Sequence, residues 1–229
     1  IIKYCRVAGF YYTFAQMFKH ILFVGARNFA FISKSLDSYY YPYYQLVNYG
    51  IKKRKLISLR FPQTCDNIKK INPDLIISIL SKEIIPKEIF DFPKLGCFNL
   101  HPSPLPLYKG CSPTFWCLAR GEKIWGVTLH QVSGGLDAGD IIGQRKFSID
   151  NFSTEHSLYQ YCSKVGSEII EDFIVRLKRK EKILSWHPQE VKSYYSIPQK
   201  RYVYLFKKRG YAFFKLKDFF AKANYKYFS

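Results

Sequence analysis

Acidic residues are scarce in this chain. Only 17 Asp and Glu stand against 36 Lys and Arg in 229 residues, a formal charge of +19. No CxxC pair occurs among the six cysteines (Cys5, Cys65, Cys97, Cys111, Cys117 and Cys162). That spacing argues against a zinc site or a disulfide framework and fits a reducing compartment, so no metal is expected and a cytoplasmic location is. No uncharged apolar run approaches the roughly 18 residues of a membrane span, so no transmembrane segment is expected. The nearest, "VAGFYYTFAQMF", is soon interrupted by Lys19 and His20 and lacks the small-residue cleavage site of a signal peptide. Internal repeats and low-complexity linkers are missing too. The chain begins at Ile1 rather than Met, which reads as a trimmed chain or a fragment.

The positive charge is uneven. Residues 176–229 hold 15 Lys and Arg against 3 acids, +12 of the +19. Anionic partners near the C-terminus follow from this: phosphates, nucleic acid or a lipid surface. A solvated face produced by a lysine-rich composition is the plainer reading.

Residues 1–50 carry the weakest pattern. "ILFVGARN" (21–28) fits a first strand entering a glycine turn, and a helix over about 8–33 fits equally well. "KLISLRF" (55–61) alternates as a short strand. "DNIKKINP" reads as a helix ended by Pro73. "DLIISIL" (74–80) is the unbroken, β-branched run of a strand buried on both faces of a parallel sheet. "GCFNL" (96–100), "WGVTLHQV" (125–132) and "DIIGQRKFSI" (140–149) are further strands. "SPTFWCLARGE" (112–122) reads as a helix with Ser112 as N-cap, Pro113 in its first position and Gly121 past its end. A long helix after Thr154 places Leu158, Tyr161, Cys162, Val165, Ile169, Phe173 and Leu177 on one face. The expected fold is α/β, a Rossmann-like, mainly parallel sheet flanked by helices. The expected boundaries are 1–181 for the catalytic domain and 182–229 for a basic, aromatic C-terminal extension.

Two loops carry candidate chemistry. Asn99 and His101 close the run "CFNLHPSPLPLYKG", and Asp137 lies in "SGGLDAGD" after "WGVTLHQV". In open α/β sheets functional groups gather at strand carboxyl ends. If these strands are neighbours, an amide, an imidazole and a carboxylate converge. That trio suits acyl transfer to an amine without a Ser or Cys nucleophile. The imidazole moves the amine proton, the amide donates to the oxyanion, and the carboxylate orients and supports the imidazole. The prolines after His101 stiffen its loop. Taken singly, a His after a strand is a capping or core residue and an Asp in a glycine loop is a turn residue. The coincidence of three carries the functional reading.

"FNLHPSPLPLYKG" followed by "GVTLHQVSGGLDAGDII" resembles the folate-dependent formyltransferases, which include methionyl-tRNA formyltransferase, glycinamide ribonucleotide transformylase and the sugar N-formyltransferases. The family runs N-x-H-P-S-x-L-P-x-Y-x-G and later G-aliphatic-D-x-G-D, and both are present. The likeness covers about residues 66–180. It implies Asn99, His101 and Asp137 as the catalytic triad and N10-formyltetrahydrofolate as formyl donor. It also implies a pterin pocket lined by the 78–86 and 133–139 loops, with Ser81, Glu83, Ile84, Ile85, Ser133, Gly134, Gly135 and Asp140 as cofactor-binding residues. Ser103, Tyr108, Lys109 and Gly110 are implied as substrate-binding. Pro104, Lys109 and Ala138 depart from the usual Leu, Arg and Thr. No clear first strand precedes the motif.

The acceptor is less determined. Only about 48 residues follow the long helix, too few for the β-barrel that methionyl-tRNA formyltransferases carry. The tail motifs "YYSIP" and "FKKRG" resemble the sugar-modifying members. A nucleotide-linked amino sugar for surface polysaccharide is therefore the first expectation, with aromatics stacking on it and lysines meeting its diphosphate. Tyr194, Tyr195 and Phe206 would serve equally well to pack the tail on the core. Methionyl-tRNA is the second expectation, favoured by the basic tail. A non-catalytic relative that binds an anion is the third. Folate and the sugar nucleotide are the expected partners, and a homodimer is compatible with the sequence.

Overall fold

The computed structural model describes residues 65–66, 68–69, 72–79, 84–150, 152–189, 191, 193–215 and 218. The strand expected at 55–61, both readings of residues 8–33, and Ser81 and Glu83 lie outside them. The elements in chain order are β1 (Ile76–Ile79), α1 (Lys87–Phe90), β2 (Cys97–His101), β3 (Lys109–Gly110), α2 (Pro113–Arg120), β4 (Ile124–Gln131), β5 (Ile141–Ser148), α3 (Glu155–Lys178), β6 (Tyr194–Tyr195) and α4 (Lys200–Lys208).

The fold is α/β. The main sheet has the order β1-β2-β4-β5. β1 and β2 run parallel, whereas β2–β4 and β4–β5 are antiparallel. The described sheet is thus mixed: one of its three pairings is parallel. The short loop between β4 and β5 forces an antiparallel pair, because a parallel pair needs a crossover of a dozen or more residues. β1 is half-buried along its length rather than covered on both faces, since it forms an edge of the described sheet. β4 is the buried centre: Trp125, Val127 and Leu129 are fully covered.

α3 lies across the sheet on its apolar stripe, with Leu158, Cys162, Ile169, Ile170 and Phe173 buried. Gly166 lets the helix approach β2, because a Cβ there would strike the Leu100 side chain. Arg145 on β5 ties the two together through Glu168 and Asp172, each at 2.6 Å. Thr154 caps the helix, its hydroxyl oxygen accepting the Ser157 N–H at 3.0 Å and donating to Asp218 Oδ2 at 2.8 Å. Thr154→Ala removes both bonds in a buried setting, and is expected to lower stability by about 1–2 kcal/mol in urea unfolding at unchanged m-value. Ser112 occupies the N-cap position of α2 but makes no side-chain cap. Its φ of 53° turns the backbone left-handed, and Pro113 instead supplies the preset first residue.

The basic tail is part of the same core. β6 pairs in parallel with β3, Lys109 opposite Tyr194 and Gly110 opposite Tyr195. Tyr195 stacks on Tyr108 at 4.6 Å, and the Trp116 indole N–H donates to the Ser196 carbonyl at 3.0 Å. α4 turns Val203 and Phe206 inward, and Phe206 and Phe213 stack at 4.8 Å beside Phe115. Its outer side carries Lys200, Arg201, Tyr204, Leu205, Lys207 and Lys208, all exposed. Among the described residues no helix is long and apolar enough to cross a membrane.

Candidate active site

The loop after β2 is held by more than its prolines. The Trp125 indole N–H donates to the Pro102 carbonyl at 2.9 Å. The Thr128 hydroxyl donates to the Ser103 carbonyl at 2.7 Å and accepts the Leu105 N–H at 3.1 Å. Gln144 on β5 donates to the Leu105 carbonyl at 2.8 Å. Two strands of the sheet therefore fix the backbone immediately after His101. Such bonding fixes where the His101 side chain can point.

His101 is buried. Its Nε2 lies 3.0 Å from the Tyr108 carbonyl oxygen. A carbonyl can only accept, so Nε2 carries the hydrogen and Nδ1 is the basic nitrogen. Nδ1 faces Asp137 Oδ1 at 3.7 Å, an ion-pair distance rather than a hydrogen bond. Asp137 reaches it although β4 runs antiparallel to β2, so the two groups do not come from two carboxyl ends at one side of the sheet. The 132–140 loop folds back instead. Asp137 sits at φ 47°, a left-handed conformation that Asp tolerates better than most residues. Its Oδ2 accepts the Gly110 N–H at 2.9 Å, joining the two motif loops.

Asn99 completes the trio, and a fourth residue appears. His130 on β4 stands directly opposite Asn99 in the strand register. The Asn99 amide nitrogen is 3.2 Å from His130 Nε2, and the same Nε2 is 3.6 Å from Asp137 Oδ1. Among the described residues the Asn99 carbonyl oxygen is buried without a partner. His130 was missed in the sequence. Its signal was a polar residue at a buried position of a strand, two residues beyond Thr128, but only the strand register shows which residue it meets.

Burial pushes the His101 imidazole below its usual value of 6.5, while Asp137 and the Tyr108 carbonyl pull it partly back. His101 is therefore neutral at pH 7 and able to accept a proton. Burial would raise Asp137, yet its carboxyl is held at about 2, with the Gly110 N–H on its Oδ2 and two imidazoles beside it. Its folded value lies below its unfolded value of 3.8. The stability that this ionisation contributes is fully present above about pH 4 and is lost as pH falls towards 2. Asp137→Asn removes the charge that supports the imidazolium, so His101 falls further. The acid limb of kcat/KM, which lies below pH 6.5 in the parent, is expected to move to still lower pH while kcat drops about a hundredfold or more. An acid limb that moved upward would contradict this arrangement.

The remaining expected site residues divide. Ser133, Gly134 and Gly135 are exposed on the 132–140 loop, Ile84 is exposed, and Ile85 packs beside the small cluster of Cys65, Ile68 and Ile89. Asp140 pairs with His187 Nδ1 at 2.8 Å, next to Trp186, whose backbone bridges Ile141. Ser103 and Tyr108, expected at the substrate, are instead inside the protein. The Ser103 hydroxyl donates to the Leu107 carbonyl at 2.9 Å, and the Tyr108 ring is packed between Trp125 and Tyr195 with its hydroxyl on Glu122. Both shape the loop from within. Lys109 and Gly110 stay half-exposed beside Tyr194.

The comparisons with known proteins give the family. The formyl transferase family matches residues 44–174, more than half of the chain. The chain belongs to that family. Methionyl-tRNA formyltransferase of Citrifermentans bemidjiense is 38% identical over 133 residues, 58% of this chain and 42% of the relative. The match spans less than half the length of the curated relatives. Among solved structures, HypX from Aquifex aeolicus superposes with a TM-score of 0.59 at 24% identity, over 72% of this chain and 29% of that one. A 4-N formyltransferase from Francisella tularensis does so with 0.52 at 23%, over 62% and 55%. At these identities the structural likeness establishes the formyltransferase fold alone.

Proposed function

We propose that this formyl transferase moves the formyl group of N10-formyltetrahydrofolate to a primary amine, and that the amine belongs to a nucleotide-linked amino sugar. The convergence of Asn99, His101 and Asp137 carries the formyl-transfer reading. The amine nitrogen attacks the formyl carbon and the carbonyl electrons move onto oxygen. An Asn99 amide N–H donates to that oxyanion. His101 Nδ1 takes the proton that the amine loses, and the resulting imidazolium lies against Asp137. Collapse of the intermediate breaks the bond from carbon to N10, and the imidazolium returns the proton to the leaving nitrogen. The folate supplies an activated formyl group whose leaving nitrogen is conjugated with an aryl ring. Ile84, Ile85 and the exposed Ser133–Gly135 backbone are the described groups that would hold it, with Ser81, Glu83 and Asp140 as further candidates from the sequence. No metal takes part in this reading.

The acceptor assignment rests on the surroundings of Gly110. The Tyr194 ring is 63% exposed and lies over Gly110, where an added Cβ would stand 2.7 Å from its Cε2. Gly110 is one hydrogen bond from Asp137. An exposed ring thus lies beside the reacting centre, with Lys109 adjacent to Gly110 in the chain, residue types suited to a base or sugar and a diphosphate. A second reading, transfer to methionyl-tRNA, is favoured by the similarity to methionyl-tRNA formyltransferases and by the cationic outer side of α4.

The test mixes the protein with N10-formyltetrahydrofolate and follows release of tetrahydrofolate. The acceptors are dTDP-, UDP- and GDP-linked amino sugars, with methionyl-tRNA in parallel. Turnover with a sugar nucleotide is the expected result. Turnover with the charged tRNA alone would replace the acceptor assignment and make the α4 face the RNA contact.

A further inference from the structure

The geometry points to His130 as a positioning residue that acts through Asn99, a role that rests on the formyl-transfer reading above. His130 Nδ1 lies 2.9 Å from the Gln131 carbonyl oxygen. That oxygen can only accept, so Nδ1 carries a ring hydrogen, and Nε2 is taken as the unprotonated nitrogen of the Nδ1–H tautomer, with a lone pair. Two groups face that lone pair. The Asn99 amide nitrogen is at 3.2 Å and Asp137 Oδ1 is at 3.6 Å. Only the first is within hydrogen-bond distance, and only the amide has hydrogens to give. Nε2 therefore accepts one of the two Asn99 N–H groups.

The consequence is an orientation. An asparagine amide has two ends of nearly equal shape and opposite polarity. An amide turned by 180° would set its oxygen against a ring nitrogen that has no hydrogen, so His130 selects the orientation in which nitrogen faces it. The second N–H and the unpartnered carbonyl oxygen of Asn99 are then left for the reactants. The N–H can donate to the oxyanion, and the oxygen can accept a hydrogen of the incoming amine. A buried oxygen left without a partner costs free energy in the resting protein, and that cost is relieved when the amine enters. The chain of control runs from the Gln131 carbonyl through the His130 tautomer to the Asn99 amide.

Two measurements test this. The first is kinetic. His130→Leu keeps an apolar side chain of similar bulk and removes the acceptor; a loss of about ten- to a hundredfold in kcat is expected, with KM for the formyl donor little changed. His130→Gln restores an acceptor oxygen and is expected to recover most of that loss. In an Asn99→Ala background, His130→Leu is expected to cost nothing further, because the residue it orients is gone. Equal losses in the Leu and Gln variants, or losses that multiply in the double variant, would overturn the proposal.

The second measurement does not need turnover. Nitrogen-15 NMR of the histidine rings reads the tautomer directly. The neutral Nδ1–H form of His130 is expected, with the Nε2 signal shifted in Asn99→Ala. A His130 found as imidazolium, or as the Nε2–H tautomer, would sink the proposal even in an active enzyme. The expected tautomer in a protein that turns over no amine would leave the proposal standing and count against the formyl-transfer reading instead.

Discussion

His101→Ala is expected to lower kcat for amine-dependent formyl transfer by about a thousandfold or more, with little change in KM for either substrate. The imidazole is the only group of the trio that can both take and return a proton at neutral pH. Asp137 is held at about 2, too acidic to serve as a base near pH 7. The Asn99 amide does not titrate. Burial keeps His101 neutral, so its Nδ1 is ready to accept, and the carboxylate 3.7 Å away stabilises the charge once it forms. A loss confined to kcat marks an interaction made in the transition state, whereas a rise in KM alone would mark His101 as a binding group. His101 is buried, so the variant also needs a folding check. Its near-ultraviolet circular dichroism should match the parent, and its melting temperature should fall by no more than a few degrees. Residual activity within tenfold of the parent in a folded variant would remove His101 from proton transfer. The mechanism proposed here would go with it.

The convergence of Asn99, His101 and Asp137 was legible in the sequence because two short motifs hold them, one for the first pair and one for the carboxylate. Proline and glycine spacing around His101 and Asp137 is local information, and it specified two loops at strand ends. Strand direction was less visible. An apolar run such as "WGVTLHQV" reads the same in either direction, so the antiparallel pairing of β2 with β4 had to come from the structure. His130 was hidden for the same reason. Its partner is Asn99, on a different strand, and no local pattern encodes that register. The long helix after Thr154 was readable from periodicity and its cap, because both signals lie within the helix itself. The tail was not. "YYSIPQKRYVYLFKKRG" looks like an extension because it has few aliphatic residues and many lysines. Its core contribution is carried by Tyr195, Phe206 and Phe213, which find partners around 80 to 100 residues earlier, on Tyr108, Trp116 and Phe115. Ser103 and Tyr108 show the opposite error. They stand inside the motif beside Asn99 and His101, yet they face the core and hold the loop from behind.

The loop that carries Asp137 depends on a single backbone approach, and Gly139→Ala is expected to remove both activity and stability. A Cβ at Gly139 would fall well inside contact distance of the Gln131 carbonyl oxygen and 2.8 Å from its carbon. These are backbone atoms at the end of β4, so no side-chain rotation can clear them. The next residue is tied to the same strand end, the Gln131 N–H donating to the Asp140 carbonyl at 2.8 Å. Relief therefore requires the 132–140 loop to lift away from the strand. Asp137 lies two residues before Gly139 and would move with it, leaving the Gly110 N–H and both imidazoles. The expected outcome is a loss of about 1–3 kcal/mol of stability. With it goes at least about a hundredfold in kcat, since the carboxylate no longer supports the imidazolium. Gly134→Ala in the same loop is the stability control: among the described residues nothing lies within 4 Å of its added Cβ, and its melting temperature should match the parent. If Gly139→Ala melted with the parent and kept its kcat, the loop would have another way to place Asp137, and the close approach to Gln131 would not be what holds the carboxylate at the imidazole. If it lost stability but kept kcat, packing and catalysis would be separable here. The expected joint loss instead makes one glycine the hinge on which the antiparallel strand pair delivers its acid to the histidine of the neighbouring strand.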